Sequence, residues 1–169
     1  MLSFFLTAIS ILISFLLQTA VFPAVLPLHV FPNLLIIVTA ANGFMKDENV
    51  GIIVGFFCGL IYEIFFGEII GFYALLYMYI GFLNGKFSKV FYPEDVKLPL
   101  ALISVSDLTC SLMSYVFLFL VWGKVDFPYY FIHVILPELV VTMIATLVFY
   151  PLILKMNETL RIRKRKKEY

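Results

Sequence analysis

The chain has 169 residues, 63% of them hydrophobic and 14% charged, with a mean hydropathy of +1.03. That is too apolar for a soluble globular domain, and spans of ~20 residues each leave almost no length for soluble catalytic machinery. The net charge is only +1, yet seven of the twelve Lys and Arg fall in residues 155–169, so overall balance hides one strongly basic end.

The apolar runs are continuous rather than alternating, which excludes a transmembrane barrel. The expected class is all-α, a polytopic membrane protein built as a six-helix transmembrane bundle. The first span is predicted over residues 2–22; it lacks a basic leading region and a small-residue cleavage pattern, and reads as a retained helix. Pro23, Pro27 and Pro32 then impose an irregular connection. A second, short span covers 33–45 and stops at the charged cluster Lys46, Asp47 and Glu48. The third, over 50–66, carries Gly51, Gly55 and Gly59 at four-residue spacing, with Glu63 next in the row. Small residues at that interval let two helix backbones approach closely. After Gly67 and Glu68 the fourth span, 69–85, brings a matching row of Gly71, Ala74, Met78, Gly81 and Gly85, and the two spans are expected to close as a hairpin. A polar connection over 86–97 leads to a fifth span at 98–122 and a sixth at 131–154. Residues 1–154 would thus form one transmembrane domain and 155–169 a basic cytoplasmic tail.

Basic residues flanking spans stay on the cytoplasmic side. With both termini inside, the inner loops and tail hold Lys46, then Lys86, Lys89 and Lys97, then the seven tail residues, and the outer loops hold only Lys124. The reverse orientation violates the rule. The tail residues Arg161, Arg163, Lys164, Arg165, Lys166 and Lys167 suit acidic lipid headgroups or a partner protein rather than nucleic acid. Trp122, Tyr129 and Tyr130 fall where aromatic side chains anchor a helix at the outer boundary.

Three acids are predicted within or near the membrane: Glu63, Asp107 and Glu138. Each costs ~2.5–3.5 kcal/mol at a helix centre, so each should face protein. Ser104, Asp107, Ser111 and Ser114 share a stripe of the fifth span at helical spacing, and Glu138, Thr142 and Thr146 recur every four residues in the sixth. These groups either satisfy one another or line a ligand site. His29 and His133 lack metal-ligand spacing, and Cys58 and Cys110 read as small packing residues. With no nucleophile elbow, phosphate loop or metalloprotease helix, no catalytic residue, metal or cofactor is expected.

Two segments carry a resemblance. Phe31-Pro32-Asn33-Leu34-Leu35, and the stretch 55–75 with Gly59, Glu63, Gly67 and Gly71, resemble the rod shape-determining protein MreD family, which commonly has Asp where this chain has Glu63. The resemblance implies a non-enzymatic subunit of the cell-elongation machinery in the bacterial inner membrane. By the same resemblance it would bind MreC directly, with MreB, RodA and a class B penicillin-binding transpeptidase in the same complex; a homo-oligomer is compatible with this. The family is similar in architecture to the substrate-binding subunits of energy-coupling-factor vitamin transporters. That likeness supplies an alternative, a small-molecule transport subunit with a solvent-reachable pocket at Asp107 and Glu138.

Overall fold

Backbone that leaves water must pair its own polar groups, and the described residues do so through helices alone. The computed structural model describes residues 2–25, 30–67, 71–88, 97–123 and 126–165. His29, Lys89, Lys124, Lys166 and Lys167 lie outside them, as do Pro27 and Glu68. Helix α1 covers residues 2–25, α2 is Leu34–Met45, α3 Glu48–Phe66, α4 Phe72–Phe87, α5 Lys97–Trp122, and α6 covers residues 127–165.

Both α1 and α6 contain one π-helical turn, Leu17–Val21 and Phe131–Ile135. Each lies just ahead of a proline, Pro23 and Pro137, whose missing N–H leaves a carbonyl of the preceding turn without its usual partner. There the ladder widens, with Phe22 N–H donating to Leu17 O and Leu136 N–H to Phe131 O. Pro23 therefore does not end the first helix, as the sequence suggested; α1 continues to Val25. Likewise α6 runs without a break through residue 155 to Arg165, so the backbone of Arg161, Arg163, Lys164 and Arg165 is helical and continuous with the last span.

The bundle is organised around α2. Every residue from Leu34 to Phe44 is buried, as expected for a helix that is apolar all round. It is packed by α1, α3, α4, α5 and α6. Its 12 residues reach only about 18 Å, against a hydrocarbon core of ~30 Å. Four stretches are long and apolar enough to cross a membrane: Phe4–Ala24, Glu48–Phe66, Lys97–Phe117 and Phe127–Thr159. The six expected spans thus appear as six helices, four of them of crossing length among the described residues. Phe5, Ile64, Leu75, Ile144 and Val148 point outward as a lipid-facing surface would require.

Helices α3 and α4 pack closest. A Cβ on Gly51 would run into the Gly81 carbonyl, and one on Gly81 into that of Gly51, so the two backbones touch where neither residue has a side chain. Gly55 lies against the Tyr77 backbone, Gly59 against Tyr73 and Ala74, and Gly85 against Glu48. Gly43 of α2 joins them against Gly81 and Gly85, a contact the four-residue rows did not reveal.

Candidate functional site at a buried helix terminus

The first turn of any helix leaves N–H groups without partners, and at α2 that turn is buried. Asn33 stands immediately before the apolar run, where a short side-chain acceptor caps a helix. Its Oδ1 accepts from Ile36 N–H at 3.3 Å and from the Tyr77 hydroxyl at 3.0 Å. The Gln18 side-chain carbonyl, carried on the π turn of α1, accepts from Leu35 N–H at 3.3 Å. Leu34 N–H donates to Pro32 O at 3.0 Å. From α6, Thr142 Oγ1 accepts the Asn33 N–H at 3.1 Å, across 109 residues of sequence. Helices α1, α4 and α6 thus all converge on the start of α2.

Asp107 of α5 completes this centre. It is 1% exposed and lies beside Thr142 and Asn33, though neither carboxyl oxygen is in hydrogen-bond geometry with a protein donor. The positive end of the α2 dipole faces it. Glu138 of α6 interacts electrostatically with Asp107 and accepts from the Ser111 hydroxyl at 3.4 Å. It also lines a cavity of about 460 Å³ together with Gln18, Tyr62, Tyr129 and His133. Both π turns contribute to its wall, through Gln18 and Thr19 on one side and His133 and Val134 on the other.

The remaining expected polar residues divide. Thr146 is fully buried and its hydroxyl bonds back to Thr142 O at 2.7 Å. Ser114 sits beside Cys110. Ser104 bonds back to Leu100 O at 2.7 Å, so its hydroxyl is spent within its own helix. Ser106, outside the expected stripe, instead joins α5 to α4, accepting from Asn84 Nδ2 at 2.8 Å.

Glu63 belongs to a different place. Its carboxyl reaches across the turn from the end of α3, accepting Gly71 N–H at 2.8 Å and Ala74 N–H at 3.0 Å. It therefore caps α4, where the helix dipole favours an acidic group. Gly71 differs from its expected place in the packing row: it is the N-cap of α4 at φ 107°, with open space where a Cβ would stand. Gly67 ends α3, donating its N–H to Glu63 O at 2.8 Å.

Sequence reasoning named Asp107, Thr142 and Glu138 but missed Gln18, Tyr77 and the capping role of Asn33. The signal for Asn33 was present, an amide residue directly ahead of an apolar run. His133 is exposed, its ring Nδ1 3.0 Å from Tyr129 O. No group of His, Cys, Asp and Glu suited to a metal occurs among the described residues.

The family model described as rod shape-determining protein MreD matches residues 1–159. No curated relative and no solved structure matches the chain, so the likeness to energy-coupling-factor subunits has no matched structure behind it.

Proposed function

We propose, since this chain belongs to the rod shape-determining protein MreD family, that it is a non-enzymatic membrane subunit of the cell-elongation machinery, binding MreC directly and helping to link MreB filaments to peptidoglycan synthesis. The family determines cell shape, and four helices of crossing length make the chain an integral inner-membrane protein. The observation that carries the reading is the reach of the family match, residues 1–159, which takes in both buried carboxyl sites, helices α1 to α5 and all but the last six described residues of α6. RodA and a class B penicillin-binding transpeptidase would share the complex, with both termini in the cytoplasm. The connections between described helices are short, so a partner would be met mainly on helix faces. Purifying the tagged protein from its native membrane should recover MreC in stoichiometric amount, and depleting it should round the cells. Recovery of a transport ATPase in place of MreC, or rods that persist after depletion, would sink the reading.

A second reading draws on one observation, the cavity of about 460 Å³ beside Glu138. A transport subunit would bind a small molecule there, and Glu138→Gln would abolish that binding while leaving the protein's complex intact; Asp107, expected to share the pocket, does not line this cavity.

A further inference from the structure

Helices α1 and α3 border each other and close at one end. There Phe15 of α1 packs on Phe65 and Phe66 of α3, with ring centroids 4.8 and 6.4 Å apart. Away from this contact the helices part and leave an apolar groove of about 450 Å³, walled by Ala8, Leu12, Ile53, Phe57 and Ile61. Among the described residues one cation borders it. Lys46, at the end of α2, lines the groove and donates from Nζ to Thr7 Oγ1 at 3.0 Å, a hydroxyl rather than a carboxylate. Burial pushes this ammonium below its ordinary value, with the adjacent Asp47 acting in the opposite direction. A positive group half withdrawn from water beside an apolar trough asks for an anion that carries its own apolar part.

Length decides what kind. From Val50 to Ile61 the α3 wall runs about 16 Å at 1.5 Å per residue, close to half of the ~30 Å hydrocarbon core and therefore the depth of one leaflet. A spanning helix from another protein would need a groove twice as long, and Phe15 with Phe65 blocks its continuation. We propose that this groove holds one acyl chain of an anionic phospholipid whose phosphate meets Lys46. The inference is independent of the elongation reading, since it needs only the α1–α3 groove and Lys46 beside it.

The test uses the full chain in nanodiscs containing phosphatidylglycerol with a photoreactive acyl chain, adducts being mapped by mass spectrometry. Adducts should concentrate on Ala8, Ile53 and Phe57. Ile53→Trp, at a position 49% exposed and so tolerant of bulk, should remove them by filling the groove; Ala8→Leu fills the opposite wall and serves if the first variant folds poorly. Lys46→Gln should lower the groove's preference for phosphatidylglycerol over photoreactive phosphatidylcholine by about fivefold, the worth of one basic residue at an anionic surface. The basic C-terminal residues are common to all variants, so their contribution cancels. Adducts spread evenly over the lipid-facing helices, or an unchanged preference in Lys46→Gln, would overturn the proposal. So would a photoreactive residue at position 53 that captures a partner protein's helix instead of lipid in native membranes.

Discussion

Glu63 and Asp107 are both acids buried near a helix N-terminus, Glu63 at α4 and Asp107 at α2, and they meet those termini differently. Glu63 takes two backbone N–H groups directly, from Gly71 and Ala74. At α2 the equivalent donors are already taken by Pro32, Gln18, Asn33 and Thr142, and Asp107 is left beside the cap with neither oxygen in bonding geometry. Burial and charge type are therefore poor guides to the role of a membrane acid. The number of backbone donors left for it separates the two: Glu63 holds a turn together, whereas Asp107 is held in place by its surroundings and keeps its own acceptors.

On that distinction the largest loss comes from Glu63→Leu, which strands the buried Ala74 N–H and the more exposed Gly71 N–H and should cost about 3 kcal/mol, the upper end of the ~1–3 kcal/mol for an orphaned buried group. Thermal unfolding in detergent would measure it, and a loss no larger than that of Asp107→Leu would erase the contrast. Next comes Gly59→Leu, which forces α3 from α4 at the Tyr73 and Ala74 contact and draws Glu63, one turn on, away from its donors. Overpacking of this kind should cost about 2 kcal/mol, and combining it with Glu63→Leu should give less than the sum of the two, because both act on one turn. Gly71→Ala sharpens the same region: a side chain at φ 107° is strained, by about 1 kcal/mol. The smallest change is expected for Asp107→Asn, within about 0.5 kcal/mol of wild type, since no backbone donor depends on that carboxyl. Its readout is recovery of MreC from a protein of unchanged stability.

Much of this could be read from the residues. The glycine rows of α3 and α4 announced their contact because small side chains at four-residue spacing have one physical use in a membrane helix. Asp107, Thr142 and Glu138 were legible because acids and hydroxyls on one face of an apolar span are costly without partners. What escaped depends on contacts between distant segments. Gln18 looks like an isolated amide in an apolar helix until the π turn aims it at α2, and Gly43 has no row of its own. The role of Glu63 hinged on the length of the turn after α3, and Gly71 appeared to continue a packing row although the chain needs it for a left-handed cap. The extent of α2's burial was equally hidden, since a 12-residue apolar run reads the same whether it lies in lipid or in protein.

That burial bears on how the protein is made. Helix α2 is the second helix to be synthesised, yet the hydroxyl that receives its Asn33 N–H lies 109 residues later. At ribosomal rates of ~5–20 residues per second, Thr142 emerges on the order of ten seconds after Asn33. Throughout that interval α2 is in the membrane or its insertion machinery without the wall that α6 will supply, and until α4 brings Tyr77 its first turn holds only the bonds that α1 and its own cap provide. The innermost helix of the finished bundle is therefore one of the first to be exposed, and the last helix to be translated closes it in.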